Sequence, residues 1–369
     1  MIKYKKINKC RLCKSNRIKK IKDLCISPLA NNLLNTKKES LIAEKYPLSI
    51  FFCNNCYHLQ LGHIINKNLL FSKYLYTSGI SNNLKKHFKK LSHEIKKNFM
   101  YDSNKNYKLL EIGSNDSTFL NYVKNKNITT IGVEPAQNLK QYFYGHDILN
   151  GFFDKKTNIL IKKKYSNVDF IVANNVFAHI ENLDNVFDCI NEIIHENSII
   201  IFEVSYLVDV INKNLVDTIY HEHLDYHKLI SLNKFFKIKN LKLFDIKLIK
   251  SHGGSIRCYL TKSTNKIKIK KNVLNQLKYE KINNFNLITK YKKYFSKFEN
   301  NRKKIEKLFE SHNINEMIGY GAPAKLVTFL SLYFTNKKTL KFVIDASPLK
   351  QNKFIPGFDI KVVSKRKLL

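Results

Sequence analysis

The sequence predicts an α/β chain: a doubly wound, largely parallel sheet with a small N-terminal metal-binding domain and a Rossmann-like C-terminal lobe. Three observations lead there. Short apolar runs alternate with segments of helical period through the middle of the chain, the pattern of strands covered on both faces by helices. A glycine turn at Gly113 closes one such run, and a second at Gly319 closes another. Two Cys-x-x-Cys pairs, Cys10/Cys13 and Cys53/Cys56, precede them both. The expected divisions are residues 1–72, 73–265, 266–311 as a helical bridge, and 312–369.

Composition narrows the setting. The chain has 369 residues, 44% of them hydrophobic, which suits two or three domains with cores of their own. No apolar run approaches the ~18 residues of a membrane span, and the first residues lack the apolar segment of a signal peptide. The expected compartment is the cytoplasm, with no membrane partner. The formal charge of +36 rests almost wholly on lysine, since only Arg11, Arg17, Arg257, Arg302 and Arg366 are arginines. Nucleic-acid readers lean on arginine's planar fork, so a solvated lysine surface is the better reading and no nucleic-acid partner is expected.

In chain order, each Cys-x-x-Cys pair puts two thiols on one turn, and two such turns supply the four soft ligands of a closed tetrahedral zinc site. A disulfide is the alternative, disfavoured where no export signal is present. The gap between the pairs requires an insertion that includes residues 27–32. Cys25, Cys189 and Cys258 have no such partners and read as ordinary buried thiols. Residues 71–81 read as a loop carrying Tyr74 and Tyr76, followed by an amphipathic helix over 82–99.

Residues 109–112 read as a buried strand, Gly113 as a sharp turn and 116–124 as a helix. A second strand over 128–133 delivers Glu134 twenty-one positions after Gly113, where doubly wound folds place an acid on ribose hydroxyls. With Glu111 ahead of the glycine, and without Gly-x-Gly-x-x-Gly, the unit is more similar to the S-adenosylmethionine site of class I methyltransferases than to a nicotinamide site. A strand over 168–173 ends at Asn174 and His179, on the same sheet edge as Gly113. The candidate cofactor residues are Glu111, Gly113, Asn115, Asp116, Glu134 and Asn174.

After a strand over 198–204 comes the chemically densest stretch, residues 217–227, with Tyr220, His221, Glu222, His223 and His227. Such a cluster supplies a proton acceptor, a polariser and a phenolic donor. A solvated polar turn is the alternative, and His-Glu-x-x-His metal spacing is not met. Strands over 242–248 and 255–261 flank His252, Gly253 and Gly254. An amphipathic helix or helix pair spans 267–311. Residues 317–325 then repeat the strand, glycine turn and helix design, with Pro323 suited to a first helical turn and Lys325 placed for a phosphate. A strand over 342–345 closes on Asp345.

The order of these motifs resembles the nucleotide-sugar C-methyltransferases of deoxysugar pathways, such as the enzymes that methylate C3 of a 4-ketosugar toward tetronitrose or mycarose. The resemblance covers residues 10–363 and rests on the paired knuckles, Glu-Ile-Gly-Ser-Asn-Asp (111–116), Ala-His-Ile (178–180), Ile-Tyr-His-Glu-His (219–223), His-Gly-Gly-Ser-Ile-Arg (252–257), Gly-Tyr-Gly-Ala-Pro-Ala-Lys (319–325) and Pro-Gly (356–357). It implies a class I methyltransferase sheet, S-adenosylmethionine as cofactor, a structural zinc on Cys10, Cys13, Cys53 and Cys56, and a small-molecule nucleoside-diphosphate sugar as substrate. It implies His223 as general base, Tyr220 as its partner at the substrate oxygen with Glu222 beside them, and His179 and Tyr76 lining the sugar pocket. His252, Gly253, Gly321 and Lys325 are the candidate substrate-binding residues. Two departures stand out: Ser117 replaces the family's usual glycine, and the C-terminal lobe is shorter than in the family. An O-methyltransferase, an RNA methyltransferase and an inactive homologue are the alternative readings.

Overall fold

Cysteine-rich turns and β-branched runs at the N-terminal end give five strands in the computed structural model, which describes residues 3–71, 77–215, 218–312, 316–334 and 340–368, apart from the side chains of His252 and Leu368. They are β1 (Tyr4–Lys6), β2 (Ile18–Pro28), β3 (Lys45–Cys53), β4 (Leu59–Leu61) and β5 (His63–Ile65). The first knuckle precedes β2 and the second turns β3 into β4, so the β2–β3 antiparallel pair bridges the two cysteine pairs. The expected insertion is therefore the long end of this hairpin. Its short helix Lys37–Leu41 docks on the C-terminal lobe, where the Ser40 hydroxyl donates to the Ile355 carbonyl at 2.9 Å.

The central sheet contains β6 (Tyr107–Ile112), β7 (Ile128–Glu134), β8 (Asp147–Asn150), β9 (Val168–Asn174) and β10 (Ile194–Ser205). Past the short β11 (Asp225–Tyr226) come β12 (Leu241–Ile249) and β13 (Ser255–Lys262). The order across the sheet is β12-β13-β10-β9-β6-β7-β8. All neighbours from β8 to β10 are parallel and β13 is antiparallel to both β10 and β12, the class I methyltransferase arrangement the motifs imply. Alternate residues face opposite ways along each strand. Leu109, Phe170 and Ile201 pack under the helix Asn82–Phe99; Leu110, Ile171 and Ile200 pack with the opposite core, which includes the helix Leu183–Ile193.

β11 does not join that sheet. It pairs antiparallel with β4, making a four-stranded sheet of order β11-β4-β3-β2, so the end of the histidine-rich segment is an edge strand of the N-terminal domain. The expected helical bridge is a pair, Lys271–Ile282 and Ile288–Glu310. Buried Glu280 ties it to the core by accepting hydrogen bonds from the Tyr206 hydroxyl (2.6 Å) and the Leu229 (2.7 Å) and Ile230 (2.8 Å) amides. The C-terminal lobe is a parallel three-stranded sheet, β14 (Ile318–Tyr320), β15 (Phe342–Ile344) and β16 (Val362–Val363), with the helix Lys325–Tyr333 between its first two strands. Pro323 lies ahead of that helix, not in its first turn as expected, because the chain first makes a turn in which the Leu326 amide donates to the Pro323 carbonyl at 3.0 Å.

The helix after Gly113 begins at Thr118, later than the sequence predicts. Asp116 accepts hydrogen bonds from the Thr118 hydroxyl (2.6 Å) and amide (3.2 Å), and Ser117 takes φ 60° in the left-handed region. A glycine would take this conformation freely, in line with the glycine that the resemblance leads one to expect here. A left-handed backbone costs a residue with a Cβ about 1–2 kcal/mol, and glycine's looser unfolded chain offsets roughly half of it. Because the buried Ser117 hydroxyl has no hydrogen-bond partner among the described residues, Ser117→Gly is expected to raise the unfolding free energy by about 1 kcal/mol. A higher urea midpoint at unchanged slope is the expected reading; a lower midpoint would count against the backbone argument.

Candidate active site and metal centre

Cys10, Cys13, Cys53 and Cys56 bring their sulfurs within 4.8 Å of one another, and no disulfide joins them. The Cys10–Cys56 and Cys13–Cys53 separations are 3.5 and 3.6 Å, close to the about 3.8 Å edge of a tetrahedron with zinc–sulfur bonds of about 2.3 Å. Four sulfur donors leave no open position, so an ion here holds the fold and does no chemistry.

A cavity of about 530 Å³ opens at the carboxyl edge of the central sheet, lined by the Gly113 loop, the ends of β7 and β9, the histidine-rich segment and the C-terminal lobe. Gly113 turns the chain with φ 72°, and a Cβ there would meet Val176 at 2.6 Å, so only glycine fits. Glu134 is buried at the end of β7 and accepts the Asn115 amide (2.8 Å) on one oxygen and the Ala136 amide (2.9 Å) on the other. Asn174 donates to one oxygen of Glu111 at 3.3 Å, and the other Glu111 oxygen and the Asn174 oxygen have no partner among the described residues. Burial, helped by the nearby Asp116 and Glu134, pushes the Glu111 carboxyl well above its ordinary range. Unpartnered buried oxygens beside a tight backbone turn suit a ligand that brings hydrogen-bond donors and positive charge, as a sulfonium cofactor with an ammonium group does.

His223 and Tyr220 line the same cavity. The His223 Nδ1 lies 2.8 Å from the Thr218 carbonyl, which can only accept, so Nδ1 carries a proton and, in the neutral imidazole, Nε2 is the basic nitrogen. The Tyr220 hydroxyl sits 3.0 Å from that Nε2. His179 packs edge-on against His223, ring centres 4.9 Å apart, and burial drops its pKa to about 4, leaving it neutral.

Glu222 is fully buried behind this pair, off the cavity wall, where Asn31 from the β2–β3 insertion donates to it at 2.8 Å. Burial outweighs that bond and raises its carboxyl to about 8. An unfolded glutamate ionises near 4.5, so between pH 4.5 and 8 the folded state holds a proton the unfolded state has lost, and stability falls as pH rises through that window. Relative to the parent, Glu222→Gln is expected to gain about 1.4 kcal/mol per pH unit across it and nothing further above it. Urea melts at successive pH values test this, and a difference that stays flat would contradict the buried neutral acid.

Some expected site residues lie elsewhere. Asp116 is off the cavity wall because its carboxylate is taken up by the Gly79 amide (2.6 Å) and Thr118. Gly253 faces Leu215, and its carbonyl accepts from Lys213 at 2.7 Å, which turns this bend away from the cavity. Gly321 gives its amide to the Ile344 carbonyl (2.7 Å), and the Ala322 amide is held by Asp345 (2.7 Å), so those amides are spent within the lobe. Lys325 does line the cavity, with Pro323 and Ala324. Tyr76 and the side chain of His252 lie outside the described residues. Sequence reasoning missed Asn31, Lys67 and Lys350 as cavity residues; the first two arrive from the N-terminal domain and the third from the C-terminal lobe, with no local motif to mark them.

Three domain families match the chain in sequence: a zinc binding domain over residues 10–71, a methyltransferase domain over 84–245 and a C-methyltransferase C-terminal domain over 250–369. The curated protein C-methyltransferase NovU of Streptomyces niveus is 26% identical over 363 residues, covering 97% of this chain and 86% of that protein. Among solved structures, an S-adenosylmethionine-dependent methyltransferase from Clostridium acetobutylicum ATCC 824 is 13% identical over 47% of this chain and 91% of its own, with a TM-score of 0.38. A SAM-dependent methyltransferase from Archaeoglobus fulgidus is 14% identical over 47% and 94%, with a TM-score of 0.35. Likeness at that level adds nothing to the strand order described above.

Proposed function

We propose that the substrate of this chain, an S-adenosylmethionine-dependent C-methyltransferase with a four-cysteine site fit for zinc, is a nucleotide-linked keto-deoxysugar, methylated on the ring carbon beside the ketone. The observation that carries this reading is the His223–Tyr220 pair, the Nε2 of an imidazole and a phenol 3.0 Å apart in the cavity that also holds the Gly113 loop. A carbon acid must lose its proton to a placed base before it can take the methyl and gains from a phenol at the enolate oxygen, whereas a hydroxyl already carries a lone pair and needs only the base.

The division of labour follows from the residue types. A neighbouring ketone makes the C–H bond acidic enough for a neutral imidazole, since charge left by the proton spreads onto the ketone oxygen. His223 Nε2 takes the proton, and the Thr218 carbonyl steadies the imidazolium through Nδ1–H. Tyr220 donates to the enolate oxygen as charge develops there. Bound S-adenosylmethionine supplies the electrophilic methyl, and the chain's share is alignment in a closed site. Neutral His179 shapes the pocket without adding charge beside the base. Lys67, Lys325 and Lys350, drawn from the N- and C-terminal domains, line the same cavity and suit a diphosphate.

Incubation with methyl-labelled cofactor and nucleoside-diphosphate 4-keto-6-deoxyhexoses tests the reading. Label on a ring carbon is expected. Label on oxygen alone, or none from folded protein that binds the cofactor, would overturn it.

A further inference from the structure

We propose that Arg11, inside the first zinc knuckle, is a positioning residue for the reaction: it clamps the segment carrying His223 to the segment carrying His179 and so sets the spacing of the two imidazoles. Its guanidinium reaches across the domain boundary to Asp225, two residues beyond His223. Nε donates to one carboxylate oxygen at 2.9 Å and Nη2 to the other at 3.1 Å. The same Nη2 donates to the Ile180 carbonyl, next to His179, at 2.5 Å. One planar group therefore touches both segments behind the cavity, where Leu224 also donates to the Ala178 carbonyl at 2.7 Å.

The zinc domain fixes both ends of this clamp. Arg11 lies between Cys10 and Cys13, and its amide donates to Gln60 Oε1 at 2.9 Å. His58, two residues after Cys56, donates from Nε2 to Asp225 at 2.8 Å. Asp225 itself pairs with Gln60 in the N-terminal sheet. The Arg11 and Asp225 side chains are 4% and 0% exposed. Taking such a pair out of water costs several kcal/mol, and apolar side chains of similar size would often serve stability as well or better. What apolar side chains lack is direction: a bidentate fork fixes an angle and a distance in a way that neither a hydrophobic contact nor lysine reproduces.

A purely structural pair and a positioning pair respond differently when both charges are removed together. Arg11→Met/Asp225→Asn leaves no buried unpaired charge and keeps an acceptor for His58. The expected variant holds one zinc per chain, binds S-adenosylmethionine as the parent does by calorimetry, and melts like the parent, yet turns over about 100-fold more slowly with KM little changed. Its ¹⁵N-imidazole resonances for His223 and His179 should move. Arg11→Lys, which keeps the charge and loses the fork, should show the same shifts and a turnover loss of about tenfold; it also serves if the double variant does not fold. The KM-against-kcat comparison rests on the keto-sugar reading, but the imidazole spectra do not. If no keto-sugar is methylated by the parent, moved resonances in a folded variant still support the clamp. Unmoved resonances, or turnover within threefold of the parent, would overturn it.

Discussion

Cys53→Ser is expected to unfold the N-terminal sheet and to abolish turnover. Cys53 ends β3, is fully buried, and has its sulfur 3.6 Å from that of Cys13. A serine hydroxyl is a poor substitute for a thiolate, and three ligands do not close the site. Structural zinc contributes about 10–16 kcal/mol to folding in small domains, as much as the whole stability of an ordinary domain, about 5–15 kcal/mol. The loss should spread, because β11 leaves the histidine-rich segment to pair with β4, and the insertion that supplies Asn31 to Glu222 hangs from the same sheet. Metal released by a thiol reagent should fall to below one ion per chain, and hydrogen exchange should lose protection over residues 45–61 and 218–227 together. A metal-free variant with parental protection in both segments would remove zinc from the account of the fold.

How much of this was legible in the sequence depended on how far apart the partners lie along the chain. The strand, turn and helix around Gly113 is local: apolar residues, a glycine and an acid at a fixed distance dictate it, and both Gly113 and Glu134 line the cavity. The cysteine knuckles are also local, two residues on one turn, and only their pairing needed the β2–β3 hairpin. Ser117 was legible as a departure but not as a left-handed residue, which required the backbone. Long-range partners left no trace. Arg11 meets Asp225 across 214 positions and Asn31 meets Glu222 across 191; neither pair has a periodicity or spacing to announce it. The misplacements share one cause. Asp116, Gly253 and Gly321 carry groups of the right type, but each has its hydrogen bonds claimed by a neighbour (Gly79, Lys213 and Ile344), a competition that a motif does not record.

His223→Ala is expected to lower kcat by about 10²–10⁴-fold, the usual contribution of a placed general base, while leaving the cofactor affinity within a factor of about two. The separation of the two effects follows from where the groups stand. Glu111, Glu134 and Asn174 line the cavity from β6, β7 and β9, whereas His223 comes from the segment after β10 and hydrogen-bonds within it, to Thr218 and Tyr220. Removing the imidazole therefore strips the proton acceptor without disturbing the turn at Gly113. Solvent deuterium uptake at the ring carbon, followed with cofactor left out, isolates the step: it should fall in parallel with kcat in His223→Ala. In Tyr220→Phe, which keeps the base but loses the phenol at the enolate oxygen, it should fall less, by about 10- to 100-fold. Exchange that persists at the parental rate in His223→Ala would mean that another group takes the proton, and neutral His179, its ring centre 4.9 Å from that of His223, would be the first to test.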